Sequence, residues 1–288
     1  MIEYGSSFKP DGESGTARVV SCELAFDVVE PAEVVLQLVA ATTAGRVVSE
    51  RLDVGTNGEP ALTTVELNGP HGARVHVLQS LSGRLTVSYR SEIEAGPSGT
   101  AGQLDPAMDY ARLVYLRPSR YCPSDHLVGF AVAEFPTGSS VRSRVESITD
   151  WIRQRIGYVA GSSSVHDSAE DTLLTGMGTC RDFAHLGVAL CRAIGVPARF
   201  VSVYAPGLSP MDFHAVFETL EDGRWIAHDP TDLAPRQSLV RIATGRDAAD
   251  AAFASVNKGI ASLDYLEVSA TVGGELPVDD RGRAVEIG

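Results

Sequence analysis

The chain predicts an α+β fold in two parts, an antiparallel β region followed by a helix packed on a second antiparallel sheet. From Arg18 to Ile93, apolar residues alternate in short Val-rich runs broken by turn residues. Between Ala95 and Gly102 the composition is that of a linker, Ala-Gly-Pro-Ser-Gly-Thr-Ala-Gly. Beyond it the apolar spacing changes to steps of three and four, the mark of a helix with one buried face. The resulting division is residues 1–96 for the β domain, 97–108 for the linker and 109–288 for the second domain.

In the first part the expected strands are Arg18 to Val29, Glu33 to Ala41, Arg46 to Val54, Leu62 to Leu67, Ala73 to Gln79 and Arg84 to Glu92. In the second part, Val141, Val145, Ile148, Ile152 and Ile156 predict a helix over Ser140 to Ile156. Ser168 and Asp171 form a capping box for a short helix that Gly176 ends. The next helix starts at Thr179, with Asp182 reaching back to the cap, buries Phe183, Leu186, Leu190 and Ile194, and stops at Gly195-Val196-Pro197. Strands are expected at Ala198 to Tyr204, Phe213 to Leu220, Arg224 to Asp229 and Leu263 to Val272, with a less regular segment at Leu239 to Asn257.

The helix beginning at Thr179 places Cys180 in its first turn, after Gly176-Met177-Gly178. Unpaired backbone N–H groups and the helix dipole favour a thiolate there, which makes Cys180 the candidate nucleophile. Two downstream residues supply what a thiolate needs, a base (His214) and a carboxylate to orient it (Asp229). A hairpin turn centred on Asp222-Gly223 pairs residues whose numbers sum to 445, so Val216 faces Asp229. His214 shares a face with Val216 and becomes a diagonal neighbour of Asp229, roughly 7–8 Å away between backbones. A three-residue loop would send Asp229 to the opposite face.

Composition limits the remaining classes. At 288 residues and 44% hydrophobic content the chain can bury sizeable cores, and its net charge of −13 opposes binding to nucleic acid or to anionic lipid. No run approaches the roughly 20 apolar residues of a membrane span, and the start lacks a charged and apolar leader pattern; the expected compartment is the cytoplasm. Four cysteines without C-x-x-C spacing predict neither disulfides nor zinc, and no nucleotide or calcium loop occurs. No cofactor and no metal are expected. The expected partner is a peptide or protein amide substrate, and oligomeric state is not readable.

Other titratable residues have plainer readings. Cys22 and Cys191 read as buried hydrophobes, and Cys122, followed by proline, is a weak rival nucleophile. His185 lies about 140° around the helix from Cys180 and reads as a packing residue. His228 alternates away from Asp229, and His166 reads as a loop-surface residue.

The segments Gly178-Thr179-Cys180-Arg181-Asp182-Phe183-Ala184-His185-Leu186, Gly195-Val196-Pro197-Ala198-Arg199, Phe213-His214-Ala215 and Asp229-Pro230-Thr231 resemble, in sequence and order, the bacterial transglutaminase-like superfamily. Arg117 to Asp125 and Gly245 to Asp250 look like elements of its branch with an N-terminal β region, while Ala251 to Ser255 depart from that branch's pattern. The resemblance implies a papain-like core with Cys180 as nucleophile, His214 as acid/base and Asp229 as orienting carboxylate. It implies a calcium-independent enzyme that acylates its thiol at an amide and passes the acyl group to water, a peptidase or amidohydrolase. The alternatives are a protein-glutamine transglutaminase with an amine acceptor and a noncatalytic peptide-binding module.

Overall fold

The computed structural model describes residues 17–60, 63–94, 106–135, 138 and 140–288. In chain order the first strands are β1 (Ala17–Leu36), β2 (Arg46–Thr56), β3 (Glu59–Pro60), β4 (Thr63–Asn68), β5 (Arg74–Ser80) and β6 (Gly83–Glu94). They join in the order β3-β2-β6-β1-β5-β4. Alternate residues of β6 are buried, as the period-two pattern requires. The two strands expected on either side of Pro31 are one long strand, β1, whose pairing slips at Val28/Glu30 and Glu30/Glu33. Proline donates no ladder hydrogen bond, so the pairing is interrupted where the sequence suggests a break. The expected linker lies largely outside the described residues, and positions 106–108 open a helix, α1 (Pro106–Val114).

The helical segments continue as α2 (Val128–Glu134) and α3 (Val141–Arg155), with β7 (Gly157–Tyr158), α4 (Ala169–Thr175), β8 (Met177–Gly178) and α5 (Cys180–Ala193) following. Ser140 caps α3 by accepting from the Ser143 N–H at 3.2 Å. The α4 capping box is present, with the Ser168 N–H donating to Asp171 Oδ2 at 2.8 Å, and Gly176 ends the helix at φ 67°. The last strands are β9 (Ala198–Tyr204), β10 (Phe213–Glu221), β11 (Arg224–His228), β12 (Val240–Gly245) and β13 (Ala254–Val272). A four-stranded antiparallel sheet, β11-β10-β9-β12, receives α5 on one face, as expected for an α+β core.

Two strands depart from expectation. The segment read as irregular contains β12, whose residues are all buried; a strand enclosed on both faces shows no alternation. The strand expected near Leu263 to Val272 starts at Ala254 and pairs with β1 along its length, from Arg18↔Val272 to Leu36↔Ala254. It completes a seven-stranded sheet with the first part of the chain instead of extending the second. Alternation encodes which face of a strand is buried and says nothing of which edge it joins.

One hydrophobic cluster runs from Val20, Leu24 and Leu36 through Ile148 and Ile152 to Phe183, Leu186 and Leu190 of α5. Tyr204 of β9 stacks on Tyr89 at 6.3 Å and donates to the Leu38 carbonyl at 2.7 Å, so the two sheets share packing and a hydrogen bond. Arg192, near the C-terminal end of α5, donates to the carbonyls of Ala198, Arg117 and Arg246 and to Ser119 Oγ. The Arg117–Asp125 and Gly245–Asp250 motifs therefore brace the helix from behind, and the Tyr121 N–H donating to Asp247 Oδ2 at 2.9 Å joins them to each other.

Candidate active site

Cys180 is the first residue of α5 and is partly exposed, whereas Cys22, Cys122 and Cys191 are buried. Thr179 caps the helix: its N–H and hydroxyl both lie on Asp182 Oδ2, at 2.8 and 2.9 Å. Gly178 is required for this closure, since a Cβ there would meet the Asp182 Cβ at 2.7 Å. Burial works against the Asp182 carboxylate, yet the Thr179 N–H and Arg181 hold it below its ordinary range. Arg181 reaches from the same turn to Ser163 Oγ at 2.9 Å and to the Ser164 carbonyl, tying the 161–167 loop to the helix start.

The β10–β11 hairpin turns on Asp222 and Gly223, at φ 47° and 77°, a two-residue turn with both central residues left-handed. Its pairs, Phe217↔His228 and Glu218↔Ala227, sum to 445. His214 and Asp229 meet as that register requires, with His214 Nε2 2.8 Å from Asp229 Oδ2 and both side chains buried. An ionised carboxylate only accepts, so Nε2 carries the proton. Asp229 Oδ1 accepts from the Thr231 N–H at 2.9 Å and from its hydroxyl at 2.6 Å. The other ring nitrogen of His214, Nδ1, is buried and has no hydrogen-bond partner among the described residues. Burial disfavours the imidazolium, but the Asp229 charge and hydrogen bond, joined by the influence of nearby Cys180, hold His214 up at about 10.

The remaining candidates fall away from this point. Cys122 is fully buried, and burial pushes its thiol up to about 12. His185 is enclosed between Tyr121 and Phe200 and accepts from the Ala248 N–H at 3.1 Å; burial holds it neutral, down to about 3. His228 turns to Thr219 and Glu221 on the other face, and His166 is exposed on its loop. Among the described residues no cluster of His, Cys, Asp or Glu could hold a metal. No helix among them is long and apolar enough to cross a membrane.

Residues 132–230 match the sequence model of the Transglutaminase-like superfamily. A solved structure from Cytophaga hutchinsonii, described as a "Putative Cysteine Protease", is 34% identical over 93% of this chain and 94% of its own, with a TM-score of 0.82. The chain belongs to the transglutaminase-like superfamily. An uncharacterized protein of Mycobacterium leprae is 31% identical over 148 residues, 48% of this chain and 52% of its own length. An uncharacterized protein of Mycobacterium tuberculosis is 33% identical over 108 residues, covering 32% and 34%. The chain thus spans about half or less of these mycobacterial relatives.

This member of the superfamily places further side chains at the site that the sequence alone did not single out. Thr231 steadies the Asp229 carboxylate from the side opposite His214. Tyr158 arrives through a two-residue parallel ladder in which Gly157 donates to the Gly176 carbonyl at 2.8 Å and Val159 to that of Gly178 at 3.0 Å. Its ring lies 5.9 Å from Phe183, and its hydroxyl stands beside the Cys180 N–H. Burial and the neighbouring Cys180 charge push that phenol up to about 12, so it remains a donor. The Asp-Pro-Thr spacing is an Asx-turn signal that points to Thr231; no local pattern announces Tyr158.

Proposed function

We propose that the protein is a thiol-dependent acyl-transfer enzyme acting on amide bonds, a peptidase or amidohydrolase, with Cys180 as nucleophile, His214 as acid/base and Asp229 as the carboxylate that orients it. One observation carries this reading: Nε2 of a buried imidazole is committed to Asp229, which leaves unpartnered Nδ1 to serve the thiol at the start of α5. The Cys180 thiolate attacks the amide carbon and a C–S bond forms while the carbonyl oxygen becomes an oxyanion. The Cys180 N–H and the Tyr158 hydroxyl are the donors for that oxygen. The His214 imidazolium gives its Nδ1 proton to the amide nitrogen, the C–N bond breaks and an amine leaves. Water then attacks the thioester, Nδ1 takes its proton, and cleavage of the C–S bond returns the thiolate. Four free thiols support a reducing compartment, in keeping with a cytoplasmic location.

The test is intact-mass trapping with a library of peptide amides, in the presence and absence of a labelled primary amine. A thioester on Cys180 that turns over to free acid, and is lost in Cys180→Ala with folding retained, is the expected result. Amine incorporation above hydrolysis overturns the hydrolase assignment, and an unlabelled Cys180 overturns acyl transfer altogether.

A further inference from the structure

We propose that Asp212 selects a cationic side chain, lysine or arginine, on the acyl side of the amide that Cys180 attacks; the inference rests on the acyl-transfer reading and names its substrate class. Asp212 is exposed, one residue ahead of β10 and two ahead of His214, the spacing at which side chains of an extended chain share a face. Its Oδ1 accepts from the Phe213 N–H at 2.7 Å, which fixes the carboxylate against its own backbone. The charge of Asp212 acts both on His214 of β10 and on Tyr158 of β7, the two residues that approach Cys180 from separate elements. Exposed, and sharing the face of His214 at the entry to β10, the carboxylate lies at the edge of the site.

No basic side chain among the described residues pairs with it. Two guanidiniums near the catalytic candidates are committed elsewhere, Arg181, next to Cys180, to Asp182 and Ser163, and Arg153 to Asp150 and the Asp229 carbonyl. Partial enclosure raises the Asp212 carboxyl above its usual range, against the opposing pull of the Phe213 N–H and of nearby His214, although solvent reaches it. Met211 and Tyr158 are 47% and 46% exposed beside it and offer apolar surface to the methylene stem of a lysine or arginine. The net charge of −13 adds a field that concentrates cationic peptides over acidic ones.

The experiment measures kcat/KM for matched peptides carrying lysine, norleucine or glutamate on the acyl side of one reporter amide. Wild type is expected to prefer lysine to glutamate by about 5- to 10-fold, the attraction of one partly exposed charge pair compounded with the like-charge repulsion of the other. That ratio should shrink at about 1 M salt, where the Debye length is roughly 3 Å. Asp212→Asn should bring the ratio toward unity, Asp212→Lys should invert it, and Asp212→Glu should keep it. A ratio unchanged in Asp212→Asn, or equal losses on every peptide, overturns the assignment. Wild-type turnover without a preference for lysine defeats this inference alone, whereas no turnover and no acylated Cys180 defeats the underlying acyl-transfer reading with it.

Discussion

Replacing Asp229 by Asn tests the geometry most directly, because it keeps the shape of the side chain and reverses what one atom can do. In the native arrangement Oδ1 is held by the Thr231 N–H and hydroxyl, so the amide oxygen of Asn stays there and its NH₂ turns to His214 Nε2. Two donors then face each other, and the ring resolves the conflict by moving its proton to Nδ1. That tautomer cannot accept a proton from the thiol. The charge is lost as well: His214 is held at about 10 against an ordinary 6.5, a difference of roughly 5 kcal/mol at most in favour of the imidazolium. Because the folded value is raised, this stabilisation is complete below pH 6.5 and is lost as pH rises through about 10. Wild-type kcat should therefore hold at neutral pH and fall on an alkaline limb near 10, where the imidazolium that protonates the leaving amine disappears. In Asp229→Asn we expect kcat to drop roughly 1000- to 10,000-fold and the alkaline limb to move down toward the ordinary imidazole range. Initial rates on a peptide amide across pH 5 to 11 (a range chosen to bracket both values), with unfolding curves as a control, measure both. A kcat within about 10-fold of wild type and an alkaline limb that stays in place would refute the roles given to His214 and Asp229.

Tyr158→Phe removes only the hydroxyl beside the Cys180 N–H, and kcat should fall by about 100-fold with KM little changed. Alkylation of Cys180 by iodoacetamide, which develops no oxyanion, should continue at the wild-type rate; equal losses in both assays would instead mean that the tyrosine positions the thiol. Glu218→Ala tests the scaffold behind the hairpin. Glu218 is fully buried and accepts from Arg199 Nε at 2.6 Å and from Arg241 Nη2 at 2.6 Å, which hold its carboxyl low against the cost of burial. Its removal strands two buried guanidiniums and should cost about 3–5 kcal/mol in urea unfolding. A loss below about 1 kcal/mol would mean that solvent reaches the pair.

What could be read from the chain was whatever is encoded locally. The caps at Ser168 and Thr179 are short-range hydrogen-bond patterns, and the Asp222-Gly223 turn admits one register, so the meeting of His214 with Asp229 followed from counting. The pairing of β13 with β1 spans more than 200 positions and has no local signature, since a strand's alternation is satisfied by any edge that buries the right face. β12 was hidden for the opposite reason, enclosure on both faces. Tyr158 and Asp212 were illegible because a ladder only two residues long and an extended approach to a strand leave no periodicity to detect.

The same distinction explains how the site is built. Cys180, His214 and Asp229 lie on a helix start and on a hairpin, elements whose own hydrogen bonds fix them, and these elements are packed together by a core that the distant β1 sheet completes. Tyr204 bonding to the Leu38 carbonyl and the Ala41 N–H bonding to the Arg241 carbonyl carry that support across the sheets. A site whose chemical groups are set locally can keep its reaction while its borders change. The borders here are Tyr158 on β7 and Asp212 ahead of β10, one placed by a ladder and the other by a single backbone hydrogen bond. Substitution at Asp212 disturbs no buried contact of the hairpin, so under the proposed mechanism substrate choice can shift there at little cost to the fold, whereas a change at Asp229 alters the tautomer of His214 and with it the proposed reaction.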